Sequence, residues 1–463
     1  MRSIRRIFSP NLDTFVGFGM LWVILAYVAL YDMKQIHGFV LGGFAAGYLS
    51  VLLPIWLVDG LKSSLEAMVP RRYKMAHEDL DKVTVIIACK DGESVIGKTL
   101  HSLLRKLTPE QVIVASNGST DRTCEIARSF GVQVFDFHEP LGKVRAINSV
   151  LPMVKTPYVL LLDDDTLLAG ATIPTGLLEK GYDAVAFRVF VKPETWVSFL
   201  QMHEYRKSFD VARLYHNKRA SVQNISGAIG LFKLDMLIRQ IRLHNGEFSG
   251  EDLQRTLLIH IEAGRSARGG RGVVLARSIV ITQAPTTIPA LFRQRTFGWF
   301  PGIYGNFPNY VRILCNRRQP AVLRFEAFYT CFLICVMDIF RLLSLPVMIF
   351  YPWYFLVMYC MYVLMELPPY ARAGRVEPFW VVLLIPLYGV FGMLTRICAS
   401  AVFVYRRLVF RFDTLVYFDD YRLASKRVKV LSSGIVLVVV AGFLGLNVLI
   451  SYSSLITSLT VSF

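Results

Sequence analysis

The sequence predicts an α/β domain with a mostly parallel sheet that is inserted between transmembrane helices. Hydrophobic residues make up 54% of the 463 residues and charged residues only 18%. The long apolar runs lie towards the two ends, as in integral membrane proteins. From Asp81 to about Ile288, short β-branched runs instead alternate with amphipathic stretches. That alternation is typical of parallel strands joined by crossover helices.

Residues 1–60 predict a transmembrane hairpin. Two apolar runs, residues 15–31 and 38–58, are separated by a few polar residues, and each is long enough to cross a bilayer as a helix. A secretory signal peptide has a similar basic and apolar start, but here a second apolar run comes directly after the first. Basic residues on both sides predict that both ends of the hairpin are cytosolic. They are Arg2, Arg5, Arg6, Lys62, Arg71, Arg72 and Lys74.

Residues 61–290 predict the cytosolic α/β domain. The strand-like runs are Val83–Cys89 and residues 112–116, 132–135, 158–162 and 184–189. Residues 94–107, with Ser94 as the N-cap, and residues 121–130 predict helices between them. A segment of this length is sufficient for a single domain.

Residues 326–463 predict a second transmembrane region. Its apolar runs are residues 327–350, 353–367, 379–405 and 431–456. Residues 406–430 carry seven basic residues against three Asp, which predicts a cytosolic segment and an even number of crossings before it. Residues 353–367 form the shortest run and are therefore predicted not to span. Asp338 and Arg341 lie in the first run, where charged residues usually face a cavity or each other.

The charge balance restricts the function classes. The chain has 51 Lys and Arg against 34 Asp and Glu, a net charge of +17. Nucleic-acid binding and cytoplasmic loops beside anionic lipids both produce such an excess, and the hydrophobic composition favours the second, together with a phosphorylated substrate. The seven Cys form no CxxC pair. They indicate buried thiols in a reducing compartment rather than a zinc site or a disulfide framework.

Polar residues come directly after three of the predicted strands and should meet at one edge of the sheet, because ligands bind outside the carboxyl ends of parallel strands. Asp163 and Asp165 are two apart on an extended chain, point the same way, and can share one Mg²⁺ or Mn²⁺. The alternative is an acidic turn in which Asp165 or Thr166 caps the next segment of the chain. The other residues of this edge are Lys90, Asp91, Gly92, Glu93, Asn117, Gly118, Ser119, Thr120, Asp121 and Asp164.

The order of motifs resembles the family 2 glycosyltransferases of the GT-A fold, and among them the membrane-bound hyaluronan, chitin and cellulose synthases. The resemblance covers about Val83 to Trp299. The motifs that carry it are Glu93 after the first strand, Gly118-Ser119-Thr120-Asp121, Gly142-Lys143 followed by Asn148, the DxD-like Asp163-Asp164-Asp165-Thr166, Ser226-Gly227-Ala228-Ile229-Gly230, and Gly250-Glu251-Asp252.

The resemblance implies roles for these residues. Asp252 would be the general base, with Glu251 beside it, and Asp163 and Asp165 would bind the metal. Ser226 and Gly227 would face the acceptor sugar. The donor nucleotide sugar would lie on Lys90, Asp91, Glu93, Ser116, Asn117, Lys143, Asp163, Asp164 and Asp165. Two alternatives stay open, since Glu251 and Asp252 also suit a helix N-terminus and Lys143 also suits a solvated surface.

Two departures from the family pattern affect the donor and acceptor sites. Ser116 and Asn117 stand where the family has a base-reading Asp, so uridine as the base is open. In the predicted interfacial helices of residues 291–325, the QxxRW-like element has Gln294, Arg295 and Trp299, but Gln294 and Trp299 are one residue too far apart. Either Arg295 replaces the Gln or a bulge restores the register. A third alternative is an Arg and a Trp that only anchor the helix at lipid headgroups.

The resulting hypothesis is a multi-pass enzyme of the plasma or inner membrane. It would transfer sugar from a UDP-sugar to a growing glycan in the cytosol and secrete the polymer through its own helices. The first alternative is a single transfer to a lipid such as ceramide or polyprenyl phosphate. The second is a transporter or scaffold with an inactive domain. Expected partners are the nucleotide sugar, the glycan or lipid acceptor and membrane lipids, with no nucleic acid.

Overall fold

The computed structural model describes residues 55–70, 73–242, 250–264, 271–350, 352–374 and 377–409. The described residues form two compact units. One consists of residues 73–331 and 398–409, and the other of residues 55–70 and 332–397. The predicted transmembrane runs 15–31 and 431–456, and most of 38–58, lie outside the described residues.

The larger unit is built around one seven-stranded sheet. Its strands are β1 (Val83–Cys89), β2 (Val112–Asn117), β3 (Gln133–Phe137), β4 (Tyr158–Asp163), β5 (Ala184–Val191), β6 (Ile229–Lys233) and β7 (Val273–Thr282). Their order is β3-β2-β1-β4-β6-β5-β7. Only β6 runs antiparallel to its neighbours within this sheet, which confirms the predicted α/β domain with a mostly parallel sheet. The sequence prediction missed β6 and β7.

The helices of the larger unit lie between and after the strands. They are α1 (Ile96–Leu103), α2 (Thr123–Ser129), α3 (Lys143–Val150), α4 (Thr175–Glu179), α5 (Trp196–Lys207), α6 (Arg213–Asn217), α7 (Leu234–Arg242), α8 (Glu251–Ala263), α9 (Ile288–Arg293), α10 (Phe300–Gly305), α11 (Phe307–Cys315) and α12 (Ala321–Phe332). Short 3₁₀ turns occupy Leu80–Lys82, Pro109–Gln111 and Leu151–Met153. The prediction of Ser94 as an N-cap is wrong, because α1 begins at Ile96 with Val95 at its N-cap.

The central strands are buried on both faces, which explains their uninterrupted apolar sequences. Val85, Ile86 and Ile87 in β1 are at most 1% exposed. The register then brings the strand ends together, because Ala88 of β1 pairs with Ala115 of β2 on one side and with Asp163 of β4 on the other. The polar residues that come after these three strands therefore lie at one edge of the sheet.

The smaller unit contains residues 55–67 as a helix, followed by α13 (Asp338–Phe350), α14 (Pro352–Arg372) and most of α15 (Phe379–Val409). One helix among the described residues, Phe379–Phe403 within α15, is long and apolar enough to cross a bilayer. Residues 327–350 and 353–367 are also helical. That the first segment spans a membrane and the second does not stays a prediction.

Buried charges connect the helices of the smaller unit. The Arg396 guanidinium donates two hydrogen bonds to Asp338, of 2.6 and 2.9 Å. Arg341 lies 2.8 Å from Asp59 and only 3.5 Å from Asp338. Asp338 and Arg341 therefore belong to a network of two acids and two arginines, rather than forming the isolated pair that the sequence suggested as one alternative.

Candidate active site

Hydrogen bonds to the first group of predicted donor residues join the loop after β1 to the loop after β2. Asp91 has φ +52°, and its Oδ1 accepts a hydrogen bond of 2.8 Å from the Thr120 amide. Glu93 accepts one of 3.0 Å from the Arg122 amide. Both carboxylates thus hold the second loop in place, while Lys90 lies partly buried at the same edge.

The two residues in the base-reading position have structural contacts. Ser116 is fully buried and donates a hydrogen bond of 3.1 Å to the Ser119 hydroxyl. Asn117 Oδ1 accepts one of 2.8 Å from the Gly142 amide and so fixes the start of α3. Both side chains therefore have partners within the protein, and the donor role of Ser116, which is buried, stays a prediction.

Lys143 lies inside the site and not on the solvated surface. It is the first residue of α3, after Gly142 with φ +85°. Its Nζ is 2.5 Å from Asp163 Oδ1 and 3.4 Å from Glu251 Oε1. Burial lowers the pKa of Lys143, but the charges of Asp163 and Glu251 raise it by more, so the ammonium stays protonated.

The three consecutive carboxylates after β4 have different partners. Asp163 contacts Lys143, whereas Asp165 Oδ1 accepts a hydrogen bond of 3.1 Å from the Thr282 hydroxyl at the end of β7. Asp164 faces Gly92, where a Cβ would lie 2.6 Å from its Oδ2. Burial raises the pKa of Asp163 to about 6 and that of Asp164 to about 7. At both carboxylates, burial and the charges of neighbouring acids outweigh the effect of Lys143, which lowers the pKa.

The pair Glu251 and Asp252 begins α8. Gly250 precedes them with φ +95°, and a Cβ on it would lie 2.8 Å from Gly302 Cα in α10. The Thr256 hydroxyl donates to the Asp252 carbonyl, at 2.8 Å. Both acids lie in the first turn, where a helix N-terminus stabilises negative charge, while Gly250 itself is the N-cap. Their position suits both the capping alternative and a catalytic role, and the catalytic role stays a prediction.

Asp252 also faces the predicted acceptor loop. A Cβ on Gly227 would lie 3.5 Å from Asp252 Oδ2 and 3.7 Å from Lys143 Nζ. The Ser226 hydroxyl accepts a hydrogen bond of 3.4 Å from the Ala228 amide, which shapes the same loop. Burial, and then the charge of Glu251, raise the pKa of Asp252.

Among the described residues, this group holds more carboxylates than cations. Five carboxylates belong to it, and three cations act on members of the group. The carboxylates are those of Asp163, Asp164, Asp165, Glu251 and Asp252, and the cations are Lys143, Arg213 and Arg255. Carboxylate groups of this kind are the hard oxygen ligands that suit a divalent cation such as Mg²⁺ or Mn²⁺.

The QxxRW-like element contains a bulge. Gln294–Trp299 forms a π-helical turn between α9 and α10, and such a turn takes in one extra residue. The structure therefore has the bulge that the sequence left as one alternative. Gln294 Oε1 is buried and has no hydrogen-bond partner among the described residues.

Arg295 and Trp299 form a stacked pair at this turn. The Arg295 guanidinium lies 3.4 Å from the centre of the Trp299 ring and 2.7 Å from the Glu204 carboxylate. Arg295 is 3% exposed, whereas Trp299 is 39% exposed. The Tyr205 ring lies 6.0 Å from the Trp299 ring. Arg295 thus supports Trp299 from the interior, and the indole is accessible.

Five residues of the site were missed by sequence reasoning. They are Glu204, Tyr205, Arg213, Arg255 and Thr282. Glu204, Tyr205 and Arg213 lie in α5 and α6, which carry no motif. Arg255 could have been noticed from its spacing, because it comes four residues after Glu251 and therefore shares its helix face.

Comparisons with known proteins agree with this architecture. A family model described as glycosyltransferase-like family 2 matches residues 81–299. The 4,4'-diaponeurosporenoate glycosyltransferase of Staphylococcus aureus is 39% identical over 70 residues, which is 14% of this chain and 19% of that protein. The chain thus aligns with about a fifth of the length of this curated relative.

Two solved structures are similar at low identity. The mannosyltransferase PcManGT from Pyrobaculum calidifontis, in complex with GDP-Man and Mn²⁺, has a TM-score of 0.49 and 13% identity, over 77% of this chain and 98% of that chain. TarS 1–349 of S. aureus, in complex with UDP-GlcNAc, has a TM-score of 0.37 and 13% identity, over 67% and 92%. The assignment therefore depends on the sheet and on the family match. The chain carries a family 2 glycosyltransferase domain over residues 81–299.

Proposed function

We propose that the protein is an inverting, metal-dependent membrane glycosyltransferase that elongates a β-linked polysaccharide from a nucleotide sugar, most simply a UDP-sugar. The observation that carries the proposal is the position of Lys143. Its ammonium lies 2.5 Å from Asp163 and 3.4 Å from Glu251. The donor end of the site at β4 and the acidic pair of α8 are thus neighbours, as a transfer between two substrates requires.

Asp163 and Asp165 would hold a divalent metal together with the donor phosphates. The residues fit such an ion, since the carboxylates outnumber the cations and burial raises the pKa of Asp163 to about 6. When bound, Mg²⁺ or Mn²⁺ neutralises the charge of the leaving diphosphate. Lys143 adds a positive charge on the same side and would contact that diphosphate.

Asp252 would be the base. Its carboxylate takes the proton of the acceptor hydroxyl, whose oxygen then forms a bond to the anomeric carbon. The bond from that carbon to the phosphate oxygen breaks, and its electron pair leaves with the nucleoside diphosphate. Attack from the face opposite the leaving group inverts the anomeric configuration. The raised pKa of Asp252 makes it a stronger base than an ordinary Asp.

The π-helical turn would hold the acceptor sugar. Trp299 offers an exposed ring on which a sugar can stack, and Gln294 has a carbonyl oxygen without a partner among the described residues, which can accept a sugar hydroxyl. Gly227 lies beside Asp252, and we propose that Gly227 and the preceding Ser226 form another wall of the acceptor site. Arg295 is engaged by Glu204 and would position Trp299.

A second candidate is a single transfer to a lipid acceptor such as ceramide or polyprenyl phosphate. The pairing of Asp338 with Arg396 and of Arg341 with Asp59 favours it. Because these four side chains pair with one another among the described residues, they give no support to a charged channel lining, and a single transfer needs no channel. The helix Phe379–Phe403 is compatible with either candidate.

The size of the product separates the two candidates. Membranes that contain the protein are incubated with a panel of labelled nucleotide sugars and Mn²⁺, and the products are sized. A ladder of long glycans supports the polysaccharide synthase, and a single labelled lipid supports the second candidate. No product from any uridine or guanosine nucleotide sugar would contradict both.

A further inference from the structure

Arg255 is a buried cation to which the proposed reaction assigns no step. It lies in α8, four residues after Glu251 and three after Asp252, so these three side chains share one face of the helix. Arg255 is 8% exposed. Few arginines are buried to this extent unless they are paired.

The contacts of Arg255 do not include such a pair. Its guanidinium lies over the Phe232 ring, 5.4 Å from the ring centre. Within the part of the chain that the structure describes, it makes no hydrogen bond and no ion pair. Its position one turn after Glu251 and Asp252, on the same face of α8, nevertheless puts its charge near both carboxylates. Because an uncompensated buried charge is strongly unfavourable, these acids are the counter-charges that allow Arg255 to remain in the interior.

The charged and titratable groups that face Asp252 come from several elements. They are Glu251 and Arg255 of α8, Lys143 of α3, Arg213 of α6 and Tyr310 of α11. Lys143 divides its charge between Asp163 at 2.5 Å and Glu251 at 3.4 Å. Arg213 donates to the Asn224 carbonyl at 2.9 Å and to the Ser208 hydroxyl at 2.7 Å. Arg255 is the third cation.

We propose that Arg255 is a positioning residue that keeps the Glu251–Asp252 pair charged and in place for proton transfer, without touching either substrate. The inference rests on the proposed function, in which Asp252 is the base. Two adjacent carboxylates repel each other and favour uptake of a proton. The guanidinium one turn further along the same helix opposes that uptake. Its removal should therefore leave Asp252 protonated over a wider range of pH.

The first test is the dependence of kcat on pH for the wild type, R255M, R255K and R239M. Arg239 is the matched control, because it is an exposed arginine of the neighbouring α7 that pairs with Asp235 and Glu262. R255M should move the acidic limb of the profile upward by about one pH unit. R255K, which keeps the charge, and R239M should leave the limb where the wild type has it.

Two results would overturn the inference. If R255M lowers kcat equally at every pH and the limb does not move, Arg255 has a packing role only. If R255M instead weakens binding of UDP in the presence of Mn²⁺, again with an unmoved limb, the guanidinium contacts the donor. Calorimetric titration of UDP and Mn²⁺ into the wild type and R255M measures that affinity directly.

A second test does not require turnover. An Asp with a raised pKa in the folded state stabilises the fold at low pH, and that contribution is lost as the pH rises through the raised pKa. The difference in Tm between the wild type and R255M should therefore widen as the pH rises from about 5 to about 8. R239M should show a constant difference, and a constant difference for R255M would contradict the inference. If the wild type used no nucleotide sugar, the proposed function would fail, whereas a widening difference would still support the positioning charge.

Discussion

Individual carboxylates of the site differ in how they are held. Asp163 contacts Lys143 at 2.5 Å, and Asp165 accepts a hydrogen bond from Thr282 at 3.1 Å. Asp252 instead lies at a helix N-terminus beside Glu251. These environments suggest separate tasks, since the first two lie at a strand end that can share a metal and the third is poised to accept a proton.

D163N and D165N should each reduce sugar transfer by at least about 100-fold, because each removes a negative oxygen ligand from the metal and the donor phosphates. Transfer measured against Mn²⁺ concentration checks this. D235N is a matched control, since Asp235 is an exposed carboxylate of α7 that pairs only with Arg239 among the described residues. Unchanged wild-type activity in EDTA would refute the metal site.

D252N should lower kcat by roughly 10²–10⁴ while donor binding survives, because the amide keeps the size and loses the base. The pH profile of the wild type gives an independent check. Asp252 acts as a base only when deprotonated, and burial raises its pKa. Activity should therefore fall on acidification at a pH above the ordinary range of Asp, about 4. A variant that loses donor affinity together with turnover would identify Asp252 as a helix cap.

At the scale of elements, the π-helical turn and the start of α8 shape the acceptor side. The turn at Gln294–Trp299 places an exposed indole and an amide oxygen without a described partner in one short segment. Gly250 allows α8 to begin directly against α10, since a Cβ there would lie 2.8 Å from Gly302 Cα. Both are backbone features. The spacing of Gln294 and Trp299 left a bulge as one alternative, whereas nothing in the sequence indicated the close approach of Gly250 to α10.

W299A and Q294A should reduce elongation more than hydrolysis of the donor, because only elongation requires a bound acceptor sugar. E204Q should resemble R295A, since Glu204 and Arg295 form one ion pair of 2.7 Å beneath the Trp299 ring. The measurement is the ratio of glycan extension to nucleotide release for each variant. Equal and mild effects at all four positions would indicate that the segment only lies at a membrane surface.

G250A should destabilise the domain by about 1–3 kcal/mol, because Gly250 has φ +95° and its Cβ would contact the Gly302 backbone. G170A is the matched control. Gly170 also has a positive φ, of +78°, but a Cβ there meets nothing within 4 Å. Both variants carry the strain of an alanine at positive φ, and only G250A adds a contact with α10. A comparison of their thermal unfolding therefore separates the two costs. Equal losses would show that the close approach to α10 contributes nothing.

At the scale of the whole molecule, the sequence predicts the strands of the sheet better than it predicts the contacts within the site. The strands β1, β2 and β4 were predicted because each is a buried run of mostly branched apolar residues. The strand β6 was missed because it has only five residues, and β7 because Arg277 and Ser278 interrupt its apolar run. Short or interrupted strands acquire their stability from neighbours that local sequence does not identify.

Within the site, too, local sequence predicts some features and misses those that depend on tertiary packing. Motif order placed Lys143, Asp163 and Glu251 in one site, and their distances agree with it. Two features depend on tertiary packing: Ser116 is buried, and Arg255 has no ion-pair partner among the described residues. Neither feature can be predicted from residue type and spacing. The electrostatic character of a site is thus set by elements that are distant in sequence.

The central claim is that this chain transfers sugar from a nucleotide sugar, with a divalent metal and with Asp252 as the base. Membranes containing the wild type or D252N, at matched protein levels, are given labelled UDP-sugars with Mn²⁺ or with EDTA, and label in a glycan or lipid product is measured. We expect labelled product only from the wild type with Mn²⁺, and retained UDP binding by D252N. Equal product from D252N, or from the wild type in EDTA, would contradict the claim.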